Sequence, residues 1–463
     1  MVKAETENKI SSYNTMSVLS HVSKNSKRWF LLEGKAVKFG GTSLCDARQM
    51  QKAADIVRAD EKRKAVVVSA PGKRSRDDEK ITDLFIACHH VKDETRREAL
   101  FSLIQSRFDG IIAELRLPLD FSEEYKTMRT LRGDALVSRG EYFSARIFAA
   151  LLDYTFADAA ACIFFRADGT TDERRTRAAL TERLARAPKG IVVPGFYGST
   201  PYGGIRLFSR GGSDITGAIV ADATDADIYE NFTDVRGFLL ADPHIVKDAV
   251  TVPLLSYREL RYLSAKGAGV LHADAILPLR KRQIPTVIRC TDDPHGPHTW
   301  IVPHKERGVG GIVGSTGYTL FGVERTHVGD DPAAIGKIAS LLSREGFAPL
   351  FLSQEPDTVT FLLRHCDFAR ADALAVALQN ETDAEIVTVR GGLAEVAVAA
   401  EGFTPEMRAA VWRALETSGV RPCFALCGNE AFSLTVGVQE TELHETVRRI
   451  HESLAPFVAT PDA

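Results

Sequence analysis

Ala36-Val37-Lys38-Phe39-Gly40-Gly41-Thr42-Ser43 is an apolar run that carries one lysine and breaks on two glycines. Such a run reads as a buried strand, and Ala65-Val66-Val67-Val68 reads as a second. Between them Met50, Ala54 and Val57 fall on one face of a helix that starts near Asp46. Strand, helix and strand at this spacing form a β-α-β unit, the crossover that parallel strands require. Outward from it come a long helical stretch from about Glu94 to Leu151, strands near Ala161 to Phe165 and Ile191 to Val193, and an intervening helix from Glu173 to Ala185. The expectation is an α/β fold, an open sheet covered by helices.

The pattern changes after about Pro303. Arg307-Gly308-Val309-Gly310-Gly311 reads as a glycine-rich linker, because its glycines miss the spacing of a dinucleotide loop. Beyond it a β-α-β-β-α-β order can be read twice. The first unit takes Tyr318 to Val323, Pro332 to Arg344, Ala348 to Leu352, Thr358 to Leu363, Phe368 to Gln379 and Ala384 to Val389. The second takes Ala394 to Ala399, Pro405 to Ser418, Pro422 to Leu426, Phe432 to Val438 and Thr441 to Leu454. Two ferredoxin-like units of similar spacing suggest an internal duplication.

At 463 residues the chain exceeds one ordinary core, so two or three domains are expected. Its 58 basic and 61 acidic residues leave a net charge of -3, which argues against a nucleic-acid partner. Cys45, Cys88, Cys162, Cys290, Cys366, Cys423 and Cys427 are odd in number and scattered, which suits reduced thiols in a cytoplasm. Met1 to Arg28 has no signal-type apolar segment, and no stretch approaches the roughly 20 apolar residues of a membrane span. The expected location is cytoplasmic.

Four segments could carry chemistry. In Lys38-Phe39-Gly40-Gly41 the glycines let backbone N–H groups approach phosphate oxygens, and the lysine adds a compact positive charge. Taken alone, a tight turn with a solvated lysine is the simpler account. Ser209-Arg210-Gly211-Gly212-Ser213-Asp214 offers an arginine fork for a carboxylate, with Ser213 and Asp214 positioned to cap the next helix. Ser138-Arg139-Gly140-Glu141 puts a carboxylate at a helix start, where the helix dipole also favours one. Asn231-Phe232-Thr233-Asp234, followed by Ala241-Asp242-Pro243-His244, is a strand-end turn able to hold a nucleotide.

In this order the four segments resemble the aspartate kinases of the amino-acid kinase superfamily, the lysine-sensitive Bacillus-like type in particular, over about Lys35 to the end. The likeness implies an extension over 1–33, a kinase domain over 34–303, a linker over 304–316, and ACT regulatory domains over 317–391 and 392–463. It implies ATP, Mg2+ and phosphorylation of the side-chain carboxylate of L-aspartate. Lys38, supported by Asp214, would stabilise the transferring phosphoryl group. Phe39, Gly40, Gly41, Thr233, Asp234, Leu239 and His244 would hold ATP. Arg210 and Ser213 would take the α-carboxylate of aspartate and Glu141 its ammonium, with Ser69, Thr82 and Phe196 completing the pocket. No resident metal site is implied. An amino-acid effector, lysine or threonine, would bind near Val328 to Pro332 and Leu352 to Asp357, and the chains would pair as a homodimer or higher homo-oligomer.

Three positions depart from that pattern. Gly269 stands where a lysine usually follows Gly-Ala, His244 where an arginine follows Ala-Asp-Pro, and Leu239 where a tyrosine lies in the nucleotide turn. A kinase of a related carboxylate and a non-catalytic amino-acid sensor remain as alternatives. A dehydrogenase is disfavoured because no Gly-x-Gly-x-x-Gly follows a strand. His295 and His298, set among prolines and a glycine, read as a surface turn rather than metal ligands.

Overall fold

The computed structural model describes residues 34–209, 211–269, 275–428 and 432–459. The expected extension over 1–33 lies outside them. The chain divides into two compact units, one taking the residues up to Leu239 with Thr251–Glu306, the other Leu240–Val250 with Arg307–Phe457.

In the first unit β1 (Lys35–Phe39) runs parallel to β2 (Arg63–Val68) and to β5 (Ile228–Thr233). With β3 (Thr155–Phe156), β4 (Ile191–Pro194), β6 (Leu254–Ser256), β7 (Thr286–Cys290) and β8 (Thr299–Val302) they form one sheet in the order β6-β8-β7-β5-β1-β2-β4-β3. Val37, Phe39, Val66, Val68 and Phe232 are fully buried, which explains why β1 and β2 read as mostly apolar runs. The β1–β2 crossover is α1 (Ala47–Arg58), capped by Asp46, whose carboxylate accepts from Gln49 N–H at 2.8 Å.

The helical stretch after β2 is divided. It comprises α2 (Ile81–His90), α3 (Glu94–Glu114), α4 (Ser122–Thr130), α5 (Gly133–Val137) and α6 (Arg139–Leu152). Arg116 turns left-handed, Pro118 follows it, and Gly133 is left-handed again, so no single helix can continue through. The strand expected at Ala161 to Phe165 is also absent. Ala159–Ala161 is a short helical turn capped by Asp158, and Phe164 and Phe165 make only isolated bridges. The remaining helices are α7 (Glu173–Ala185), α8 (Gly212–Ala223), α9 (Tyr257–Lys266) and α10 (Ile276–Arg282).

The second unit is a six-stranded antiparallel sheet built from β9 (Gly308–Glu324), β10 (Leu352–Glu355), β11 (Thr358–Arg364), β12 (Ile386–Glu401), β13 (Phe424–Cys427) and β14 (Ser433–Gln439). Their order is β10-β11-β9-β12-β14-β13. Its helices are α11 (Pro332–Arg344), α12 (Phe368–Thr382), α13 (Pro405–Ser418) and α14 (Leu443–Leu454). The glycine-rich stretch expected to be a linker is the first half of β9. A Cβ on Gly314 would stand 2.8 Å from Leu443 Cδ1 and 3.1 Å from Val447 Cγ2, so glycine there lets the strand pass close beneath α14.

The two β-α-β-β-α-β units are consequently nested rather than consecutive. Residues 318–324 of β9 pair with β11 and with the first part of β12, completing the first unit. Residues 308–315 pair with the second part of β12 and supply the sixth element of the other unit, whose own last element is a helix. Leu240–Val250 belongs with this sheet. Ile312 N–H donates to Leu240 O at 2.7 Å, and Val250 N–H donates to His451 Nε2 at 3.3 Å.

Candidate active site

The C-terminal ends of β1, β2 and β5 lie side by side and present the turns that follow them. Lys38, 7% exposed near the end of β1, is paired in register with Asn231 of β5. Its ammonium stands 2.7 Å from Asp214 Oδ1, and Asn231 Nδ2 donates to the same oxygen at 3.2 Å. Asp214 sits in the first turn of α8. That helix comes close to β5 because Gly217 has no Cβ, the Tyr229 hydroxyl occupying that space.

After Lys38 the chain bends at Gly40, whose N–H donates to Phe232 O at 3.0 Å. Thr42–Leu44 forms a single helical turn. Gly72 N–H donates to Gly41 O at 2.8 Å, drawing the turn after β2 against the turn after β1. The Phe39 ring is fully buried and stacks on Phe232 at 5.1 Å, so its side chain belongs to the core and only backbone remains for a ligand.

Ser69 follows β2, its N–H donating to Phe39 O at 3.2 Å. Next to it the backbone of Ala70 faces Glu141, in the first turn of α6. Glu141 is 4% exposed and its Oε2 has no partner among the described residues. Burial pushes its carboxyl up to about 8, against the opposing backbone hydrogen bonds of Ala70 and Glu141 itself. Gly140 makes the approach possible, since a Cβ there would lie 2.9 Å from Ala70 Cβ and 3.3 Å from Ile81 Cγ2. Thr82, half-buried, follows Ile81 in α2.

Phe196 has a left-handed backbone, φ 77°, which is uncommon for an aromatic residue. Its N–H donates to Thr216 Oγ1 at 3.0 Å and its carbonyl accepts from Phe208 N–H at 2.8 Å. Strain held this way is typical of a ligand site. Ser213 lies inside α8, and the helix is capped by left-handed Gly211 with no side-chain cap, contrary to the capping expected of Ser213 and Asp214. A Cβ on Gly195 would be 2.8 Å from Ser213 Oγ, so the turn after β4 reaches α8 only because glycine stands there. Arg210 lies outside the described residues.

Among the residues expected to hold nucleotide, Thr233 ends β5 and donates its hydroxyl to Asp234 at 3.0 Å. Leu239 lies half-buried in a two-residue strand that pairs with Thr251–Val252. His244 belongs to the second unit, where its exposed ring holds Asp242 Oδ1 at 2.8 Å. Among the described residues, Gly269 has no atom within 4 Å of where a Cβ would sit. Asn231 was not among the expected site residues. Its signal is a polar pair, Glu230-Asn231, inside an otherwise buried strand.

In the second unit the two expected effector segments touch. Arg325 N–H donates to Asp357 O (3.1 Å), His327 N–H to Asp357 Oδ1 (2.7 Å) and Gly329 N–H to Pro356 O (3.0 Å).

Residues 35–290 match the amino acid kinase family. The chain is 30% identical over 449 residues to aspartokinase 3 of Bacillus subtilis (strain 168), covering 90% of this chain and 98% of that one. The solved aspartate kinase of Clostridium acetobutylicum superposes with a TM-score of 0.83 at 33% identity, over 91% of this chain and all of the other. Escherichia coli aspartokinase III, in complex with aspartate and ADP, shares the fold at 23% identity with a TM-score of 0.71, over 91% of this chain and 100% of that one. With its sheet, its Lys38–Asp214 pair and these relatives, the chain belongs to the amino-acid kinase family as an aspartate kinase.

Proposed function

We propose that the enzyme binds ATP and L-aspartate across the turns after β1, β2 and β5 and forms 4-phospho-L-aspartate. The observation that carries this reading is Glu141, a buried carboxylate with an unpartnered oxygen, which is costly unless a cation arrives to meet it. The ammonium of an amino-acid substrate is such a cation. Ser69, Thr82 and Phe196 complete the pocket around it, while Ser213 and Arg210 take the α-carboxylate.

An oxygen of the substrate side-chain carboxylate attacks the γ-phosphorus, the bond from that phosphorus to the β–γ bridging oxygen breaks, and ADP departs. The attacking carboxylate is already ionised at neutral pH, so no general base is required. Lys38, oriented by Asp214 and Asn231, meets the charge on the transferring group, with Gly40 and Gly41 as backbone donors. Thr233, Asp234 and Leu239 would line the nucleotide, with His244 carried as a contact by the family likeness alone. Mg2+ carried by the nucleotide would neutralise phosphate oxygens. Such an ion keeps phosphate and water as most of its ligands. Asp234, exposed at the end of β5, would meet one of those waters.

Lysine, present with aspartate in a second Escherichia coli aspartokinase III complex, is the effector we assign to the contact between 325–329 and 355–357. Homodimeric or higher assembly and a cytoplasmic location complete the reading, the latter in keeping with seven free thiols. An ATP-dependent hydroxamate assay over a panel of amino acids, with and without lysine and threonine, tests it. Aspartate alone should react. Product from an N-acetylated acid but not from aspartate would overturn the substrate, and flat rates across millimolar effectors would overturn the regulation.

A further inference from the structure

Arg107 sits in the middle of α3, distant in sequence from every residue assigned above, yet its side chain is only 6% exposed. A buried guanidinium is costly unless its donors are met. Nη2 donates to Cys45 O at 3.1 Å and to Gly72 O at 2.7 Å, and Nη1 donates to Asp78 Oδ2 at 2.8 Å. Cys45 closes the turn that follows β1, and Gly72 lies in the stretch between β2 and α2. The one side chain therefore grips both turns that carry the proposed substrate contacts, from the side remote in sequence from either.

The two turns have no slack of their own. A Cβ on Gly41 would stand 2.9 Å from Ala70 O, and one on Gly72 would stand 2.7 Å from Gly41 C. Gly40 and Gly41 lie in the first turn, while Ser69 and Ala70, whose backbone faces Glu141, lie in the second. The guanidinium fork is suited to this task, for it reaches several acceptors in one fixed plane where an ammonium is a single flexible point. Asp78 anchors it. The hydrogen bond from Arg74, followed by its backbone N–H and the charge of Arg107, holds the Asp78 carboxyl well below the usual carboxylate range.

We infer that Arg107 is a positioning residue for phosphoryl transfer, clamping the turn 40–45 to the turn 69–72 so that phosphate donors and substrate contacts keep one spacing. This rests on the reading of those turns as the ATP and aspartate sites. A displacement of about 1 Å at such contacts can cost on the order of a hundredfold in rate.

The test uses the full-length enzyme and steady-state kinetics for both substrates, with melting temperatures measured in parallel. Arg107→Lys should lower kcat by about tenfold or more and raise the Michaelis constant for ATP. Asp78→Asn, at a more exposed position that leaves the guanidinium in place, should move the same parameters in the same direction by less. A fall in melting temperature with kcat and both Michaelis constants unchanged would make Arg107 merely structural and overturn the proposal. So would wild-type kinetics in Asp78→Asn, which decides the matter if Arg107→Lys does not fold. Lys38→Ala is the reference: if it stays active, the site reading fails, whereas an inactive Lys38→Ala beside wild-type Arg107 and Asp78 variants refutes the clamp alone.

Discussion

The ammonium of Lys38 and the carboxylate of Asp214 stand 2.7 Å apart, the one at the end of β1 and the other in the first turn of α8. Strand and helix thus aim one cation at the space above the sheet. Lys38→Ala should abolish turnover, a loss of at least about a hundredfold, while the far-ultraviolet circular dichroism stays that of the parent. Substantial residual activity would remove Lys38 from the chemistry.

Gly217→Ala should act on the same pair from a distance. The added methyl meets the Tyr229 hydroxyl and pushes α8 away from β5, carrying Asp214 off Lys38. The expected result is a kcat reduced by about tenfold or more, together with a loss of roughly 1–3 kcal/mol in stability from overpacking. Denaturant melts and kinetics measured together would show it, and parent-like values of both would refute it.

Glu141 makes a pH prediction with a definite sign. Its carboxyl is pushed up to about 8 by burial, yet only the ionised form attracts an ammonium. Aspartate should therefore bind more tightly as pH rises from neutrality through about 8, and binding near pH 7 should release a proton, read as a buffer-dependent heat in calorimetry. The stability effect runs the other way. The folded protein keeps a proton that the unfolded chain gives up above the ordinary value of 4.5, so the free enzyme loses stability as pH rises from there to about 8. Glu141→Gln should remove that slope and weaken aspartate binding at once. A parent-like slope in the variant would show that another group is responsible.

His244→Arg tests the nucleotide side. The exposed imidazole, engaged with Asp242, is shorter than an arginine and lacks its five-donor fork for phosphate oxygens. The Michaelis constant for ATP should fall several-fold with kcat little changed. Gly269→Lys, a position with open space around it among the described residues, should be tolerated within about 0.5 kcal/mol of the parent in a chemical melt. No gain in ATP affinity from His244→Arg would count against its place at the nucleotide.

The kinase half was legible because its strands are mostly apolar runs and its turns carry paired glycines, features that physics permits in few places. Lys38 could be singled out for that reason, whereas the roles of Glu141, Ser69 and Asp214 came from the family likeness. Arg107 could not, since a buried arginine on a helix carries no local mark and its partners Cys45 and Gly72 lie 62 and 35 residues away. The linker was misread for a different reason. Glycines at 308–314 signal a break when counted by composition, but in the folded chain their bareness is what a strand needs beneath α14. Phe39, which the family likeness put at ATP, has its ring sent into the core by the alternation of strand faces.

The divided strand β9 sets the order in which the C-terminal half can be made. Residues 308–315 leave the ribosome long before 395–401, the segment they must pair with. Until then they present an unpaired, glycine-rich edge, while residues 318–324 can already close with β11 nearby. The inner unit should therefore fold first during synthesis and hold the waiting edge in place for its late partner. A fragment starting at 392 begins life without its neighbour and should stay unfolded, whereas one spanning 307–457 with the 240–250 segment supplied in trans has every strand it needs.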